Sequence, residues 1–272
     1  MVVGRWVRGV AVLAFAVVLA AMGAPVASAH PPGTTDRVSV STGGAAGDDD
    51  SQLAAVSGDG RFVAFRSLAT TLVPGDTNGV GDVFVHDRST GVTERVSVDS
   101  RERQAVGDQG GVLDSNFGPP AISADGRYVA FDSWEPDLVP GDTNNSFDVF
   151  VRDRTTGELE RVSVDSAGVE GDDWSLRPAI SADARFVAFH SFAGNLVPGD
   201  GNNDFDIFVR DRQAGTTVRA SVTTAGTEGG FQLGSSNPSL SADGRVVAFE
   251  SEAALVPEDS EFPVDVFTHA EP

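Results

Sequence analysis

Three loops of this chain place oxygen-bearing side chains in one frame, Asp-x-Asn-x-x-x-Asp: Asp76, Asn78 and Asp82; Asp142, Asn144 and Asp148; Asp200, Asn202 and Asp206. Alternating oxygens in a tight loop suit a hard cation such as Ca2+, which takes roughly 6–8 oxygen ligands, and the spacing matches the first half of an EF-hand loop. These nine residues are the candidate metal ligands, with Ca2+ the implied cofactor. Asp87, Asp153 and Asp211 stand at the twelfth position, where an EF-hand closes. Five intervening strand residues would carry each about 15 Å from its loop. A fourth version, Asp259-Ser-Glu261-Phe-Pro-Val-Asp265, keeps carboxylates and inserts Pro263. Asp and Asn also cap turns through their own backbone, so turn chemistry competes with metal binding in every loop.

A second candidate set comes from one place in a repeated sequence phrase, at the end of its second strand, where the copies differ: Arg66, Asp132, His190 and Glu250. Four different ionisable groups at equivalent positions could line a ligand face, or could be solvated strand ends. His86 and His269 fall where Arg152 and Arg210 stand and read as surface positions. Nucleophilic catalysis finds little footing: the chain has no cysteine, no Gly-x-Ser-x-Gly elbow and no His-Glu-x-x-His zinc frame. Carboxylates are numerous enough for a glycosidase pair, which needs two about 5–9 Å apart in a cleft.

The elements that must position these residues are copies of one unit. Ser57-Gly-Asp-Gly-Arg-Phe-Val-Ala-Phe returns at Ser123, Ser181 and Ser241, at separations of 66, 58 and 60 residues. A supersecondary unit repeated at a near-fixed period signals a repeat architecture. In the second copy, Pro120-Ala-Ile-Ser123 is a short first strand and Asp125-Gly126 reads as a type I′ hairpin turn. Arg127 to Ser133 is a second strand, Asp148 to Arg152 a third and Leu159 to Val164 a fourth. The third strand is apolar on both faces, as expected of a sheet packed on both sides. Four short antiparallel strands per copy predict an all-β fold, a β-propeller of four four-stranded blades.

The last copy stops after its third strand, at Val264 to His269, while Asp36-Arg-Val-Ser-Val-Ser41 matches the fourth strands Glu94 to Val98 and Glu160 to Val164. The expectation is that the N-terminal strand 36–41 completes the last blade and closes the ring, removing an exposed edge. Repeats then run over about 42–98, 99–164, 165–222 and 223–270, within a single domain at 30–272. Ser-x-Asp-Gly-Arg-x-Val-Ala-Phe followed by Asp-Val-Phe-Val-x-Asp-Arg-x-Thr-Gly resembles the WD40-like repeat of TolB-type β-propellers, bacterial secreted proteins, over about 36–270. Two features depart from that pattern: Ala184 replaces the turn glycine, and four blades are fewer than the six or seven usual in the family. A two-chain, eight-bladed ring and an open arc are the alternatives to closure within one monomer.

Arg5 and Arg8, the apolar run from Val10 to Met22 and Val26-Ala-Ser-Ala29 predict a signal peptide over 1–29, cleaved after Ala29. No cysteine is present to carry a lipid, and no later run is apolar enough to span a membrane. The protein is expected to be secreted or extracytoplasmic. Without Arg5 and Arg8 the chain keeps 17 basic residues against 40 acidic ones, net −23. Such a surface repels nucleic acid and anionic lipid. Antiparallel connectivity gathers the Asp-x-Asn loops, Asp48 to Asp50, Asp108, Asp172 and Asp173 at one end of the blades. The leading functional reading is a non-enzymatic propeller that binds a ligand, peptide, glycan or envelope protein through this acidic face, ordered by Ca2+. A glycan-active hydrolase with carboxylates in the tunnel and a purely structural ring are the alternatives.

Overall fold

The turn at the head of each copy shows how the repeat starts its sheet. Ser57 Oγ donates to Asp59 Oδ1 at 2.7 Å, and the same carboxylate oxygen accepts the Arg61 N–H at 2.9 Å. Gly60 N–H closes the turn on Ser57 O at 2.9 Å. Of the Asp-Gly pair only the glycine has positive φ, 73° at Gly60 and 72° at Gly126, so the turn is not type I′, which needs two such residues. Ala184 holds this conformation at φ 59° despite its Cβ.

The computed structural model describes residues 33–105, 118–229, 234–259 and 264–270; the predicted leader, His30, Gly107, Asp108, Glu261 and Pro263 lie outside the described residues. Four antiparallel sheets succeed one another along the chain, and the described residues contain no helix. The first holds β1 (Ser51–Val56), β2 (Phe62–Ser67), β3 (Asp82–Asp87) and β4 (Val92–Arg95). The second holds β5 (Ala121–Ile122), β6 (Tyr128–Ser133), β7 (Asp148–Asp153) and β8 (Leu159–Arg161). The third holds β9 (Ser175–Ile180), β10 (Phe186–Ser191), β11 (Asp206–Asp211) and β12 (Thr216–Arg219). The fourth holds β13 (Ser235–Leu240), β14 (Val246–Ser251) and β15 (Asp265–Ala270). Within each sheet the strands pair in chain order.

Packing explains the lost alternation in the third strands. Val83 and Val85 of β3 pack with Phe131 and Phe150 of the second sheet; Val149 and Val151 of β7 pack with Phe189 and Phe208 of the third; Ile207 and Val209 of β11 pack with Phe249 and Phe267 of the fourth. The first three sheets therefore bury β-branched residues of their third strands against phenylalanines of the sheet that follows. Burying one such side chain contributes about 1.5–3 kcal/mol. A ladder of main-chain hydrogen bonds joins successive turns: Gly58 N to Ala124 O and Ala124 N to Ala182 O, both at 3.0 Å, and Ala182 N to Ala242 O at 2.8 Å. First strands stack β1, β5, β9, β13, and β13 has no comparable contact with β1.

The expected closure by residues 36–41 does not form. Among the described residues β15 pairs only with β14, and the fourth sheet has three strands. The N-terminal segment goes instead to the first sheet: Val40 bridges Ala46, and Thr93 Oγ1 donates to Val40 O at 2.5 Å. These contacts seat the end of the segment on the first sheet, and no strand pairing joins it to β15 among the described residues. No helix among the described residues is long and apolar enough to cross a membrane.

Candidate functional site

At the end of the sheets opposite the Asp-Gly turns, the loops joining second to third strands carry the Asp-x-Asn frame. In the second sheet Asp142, Asp148 and Glu170 bring carboxylate oxygens within 4.8 Å of one another, and in the third Asp200, Asp206 and Glu228 do the same. A guanidinium lies among each trio. Arg161 Nη1 is 3.3 Å from Asp142, 3.1 Å from Asp148 and 2.6 Å from Glu170. Arg219 Nη1 is 3.2 Å from Asp200, 3.3 Å from Asp206 and 2.9 Å from Glu228. In the first sheet Arg95 meets Asp76 at 3.1 Å and Asp82 at 3.0 Å, and Gln104 replaces the third acid.

The asparagines of the frame face their loops. Asn144 Nδ2 donates to Asp148 Oδ2 at 3.0 Å and Gly171 O at 2.8 Å, while its Oδ1 accepts the Ser146 N–H at 2.9 Å. Asn78 and Asn202 likewise donate to Asp82 and Asp206, at 3.2 and 2.9 Å. Two residues of each fourth-strand tail complete the arrangement: beside the arginine, Ser163 Oγ donates to Asp148 Oδ1 and accepts the Val149 N–H at 3.1 Å. Burial, then the neighbouring Asp148, pushes Asp142 up to about 6. Burial and Asp206 push Asp200 up to about 7. The nine predicted residues do converge copy by copy, on an arginine and an amide nitrogen rather than on a shell of oxygens. Arg95, Arg161, Arg219, Glu170 and Glu228 are not among the residues the sequence points to; Arg95 and Arg161 stand in the phrase Glu-Arg-Val-Ser-Val and Arg219 in Val-Arg-Ala-Ser-Val, which by itself announces only a strand.

Asp87, Asp153 and Asp211 lie at the turn end, as the strand length requires. Each takes a two-nitrogen grip from the arginine of its own Asp-Gly-Arg or Asp-Ala-Arg turn, with Arg61, Arg127 and Arg185 Nη2 at 2.7, 2.6 and 2.6 Å. That bonding holds Asp87 and Asp153 far below the usual carboxylate range.

The second candidate set is largely spent on itself. Arg66, buried, bonds the Asp132 carboxylate, Asp132 O at 2.9 Å and Gly118 O at 3.2 Å. Asp132 Oδ2 accepts the Arg177 N–H at 2.8 Å, the Arg177 guanidinium bonds Asn237 Oδ1, and Asn237 Nδ2 donates to Glu250 Oε2 at 2.8 Å. One polar chain thus crosses all four sheets. Bulges in β9 and β13 aim its middle members, with Arg177 and Asn237 at φ 52° and 54°. His190 stands apart: buried, its ring 4.8 Å from that of Phe205, neither nitrogen hydrogen-bonded among the described residues, and pushed down to about 4 by burial and the charge of Arg177. It is neutral at pH 7. His86 is buried rather than on the surface, with Nδ1 2.8 Å from Thr93 Oγ1.

A third feature, missed in the sequence, lies on the loop end of the two middle sheets. Trp134 packs edge-on to Phe147 at 4.9 Å, and Phe147 to Trp174 at 5.8 Å; Phe192 meets Phe205 at 5.3 Å. Trp174 and Phe192 remain exposed. Beside them Asp172, Asp173, Asp200, Asp204 and Phe192 line a cleft of about 210 Å³. Asp172, Asp173 and Asp204 have no ion-pair partner among the described residues, so the cleft offers uncompensated negative charge next to an aromatic face. The signal is present in the repeat itself: Trp134 and Phe192 stand where the outer copies have Leu68 and Glu252.

No protein-family model matches the chain, and no curated protein matches it. Among solved structures it is similar to TolB from Acinetobacter baumannii, at 18% identity and TM-score 0.46 over 82% of this chain and 43% of that one. It is similar to a putative TolB from Agrobacterium tumefaciens, at 18% identity and TM-score 0.45 over 79% of this chain and 59% of that one. The β-propeller domain of the Trilobed protease from Pyrococcus furiosus, described as having an open velcro topology, aligns at 11% identity and TM-score 0.46 over 82% and 55%. The chain spans about half the length of these structures, and the likeness is one of fold alone.

Proposed function

We propose that the chain is an exported, non-enzymatic binding module of the β-propeller type, whose acidic loop end holds a cationic side chain of a peptide or protein partner. The observation that carries this reading is the 210 Å³ cleft, where Asp172, Asp173 and Asp204, without an ion-pair partner among the described residues, meet Phe192. An ammonium or guanidinium gains there both charge pairing and the face of an aromatic ring. The arginines serve as resident cations of the Asp-x-Asn loops, which orders those loops without metal and leaves the cleft as the unmet charge. Export rests on the reading of residues 1–29 as a leader.

The test is calorimetric titration of the purified protein with lysine- and arginine-bearing peptides and with uncharged peptides of the same length. Cationic peptides should bind, more weakly as salt rises, and the Asp172→Asn, Asp173→Asn double variant should lose about tenfold or more in affinity. Equal binding of charged and uncharged peptides, or none of either, removes the proposal.

The calcium-ordered version of this module rests on a separate observation, the two acid trios within 4.8 Å. Its expected signature is a melting temperature that rises with Ca2+ and falls with chelator. No change on chelation decides for arginine.

A further inference from the structure

Among the described residues, the N-terminal segment and the fourth sheet carry complementary parts of the junction that the middle sheets form. In each of the two middle sheets the fourth-strand tail supplies an arginine and, two residues on, a serine: Arg161 and Ser163 in the second sheet, Arg219 and Ser221 in the third. The arginine joins the two loop aspartates, and the serine hydroxyl joins the first residues of the third strand. The fourth sheet keeps the receiving groups. Asp259 and Asp265 occupy the places of Asp142 and Asp148, but no arginine pairs with them among the described residues. Asp265 is exposed where Asp148 is fully buried, and Val266 beside it is 75% exposed.

The N-terminal segment is the other half. Asp36-Arg37-Val38-Ser39-Val40 repeats the fourth-strand phrase, and residues 40–46 are already seated as the fourth-strand tails are seated. Val40 bridges Ala46 as Val164 bridges Glu170 and Val222 bridges Glu228. Thr93 N–H donates to Thr42 Oγ1 at 3.1 Å, as Thr217 N–H donates to Ser166 Oγ at 3.0 Å. These contacts belong to the tail of a sheet that precedes the first, yet the described residues contain no such sheet before residue 36. Arg37 is exposed, with no ion-pair partner among the described residues.

We infer that a second copy of this chain supplies the missing junction: residues 36–40 of one copy add to the free edge of β15 in another. Arg37 then enters between Asp259 and Asp265, and Ser39 takes the place of Ser163 against Asp265 and the Val266 N–H. The register is set by the internal repeats. Phe84 pairs Arg95, Phe150 pairs Arg161 and Phe208 pairs Arg219, so Phe267 pairs Arg37 and Thr268 pairs Asp36. The contact joins unlike ends, so it generates a closed ring or an extended array. Adding a strand to an exposed edge is also the ordinary way an unpaired edge is covered.

The experiment uses the absence of native cysteine. Asp36→Cys and Thr268→Cys variants, purified separately and mixed under oxidation, should form a disulfide-linked pair that neither forms alone. Light scattering on the unmodified protein should give a dimer or larger species, and Arg37→Glu should weaken association by about tenfold or more. Arg37 is exposed in the single chain, so this variant keeps its fold, which circular dichroism checks. A monomer at high micromolar concentration with no mixed cross-link overturns the proposal. So does a double variant, Asp36→Cys with Thr268→Cys, that cross-links only within one chain.

Discussion

The two ends of the sheets use aspartate in opposite ways. At the turn end Asp87 and Asp153 are gripped by an arginine through two nitrogens and capped by nearby backbone N–H groups, and are held ionised. At the loop end Asp142 and Asp200 each share an arginine, Arg161 and Arg219, with two other acids, and burial favours their protonated form. The turn end is charge-balanced scaffold repeated in the first three copies. The loop end carries surplus negative charge, and there the copies diverge. Residue type alone does not separate structural from functional carboxylates; the ratio of acids to resident cations does.

The largest expected effect comes from removing a resident cation. Arg161→Ala leaves Asp142, Asp148 and Glu170 facing one another and should cost about 3–5 kcal/mol in urea unfolding, the range for breaking a buried pair. Ca2+ should recover part of that loss in the variant and add nothing to the unmodified protein. If the unmodified protein gains as much, calcium rather than arginine orders the loops and the contrast between the ends dissolves.

An intermediate effect comes from pH. A carboxyl whose folded value lies above its unfolded value contributes stability that is full below the unfolded value and is lost as pH rises through the folded one. For Asp142 and Asp200 that loss runs from about pH 4 through about 6 and about 7. Asp87 and Asp153 have the reverse sign: their contribution is present above about pH 4 and disappears as pH falls below it. Melting temperature should therefore peak on the acidic side of neutrality, and the Asp142→Asn, Asp200→Asn double variant should flatten the decline between about pH 5 and 8. An unchanged decline would place its origin outside these loops.

The smallest effect tests the turn end. Ala184 sits at φ 59° where three copies have glycine, so Ala184→Gly should stabilise by about 0.5–1 kcal/mol in the same unfolding measurement. The reverse change at Gly126 cannot be absorbed, because a Cβ there would lie 2.1 Å from the Phe62 ring. A neutral Ala184→Gly would mean that the turn relaxes by other means.

Most strands were legible because strand chemistry is local: Asp125-Gly126 announces a turn, and Val149, Phe150 and Val151 announce a strand covered on both faces. The acidic loops were legible for the same reason. Their partner Arg161 was not, because it comes from another strand, and spacing within one loop says nothing about what crosses it. Trp134 and Trp174 lie 40 residues apart and meet only through Phe147. The N-terminal phrase Asp36 to Val40 has the sequence of a fourth strand, but a repeat cannot say which copy of the third strand it joins.

The ladder linking Gly58, Ala124, Ala182 and Ala242 has an evolutionary consequence. It is written in main-chain atoms, so neighbouring units recognise one another without matched side chains, provided the residue at that step stays small. A Cβ on Gly58 would lie 3.1 Å from that of Ala124. A gene encoding such units can gain or lose one by duplication or deletion, and the remaining units still register without compensating mutations.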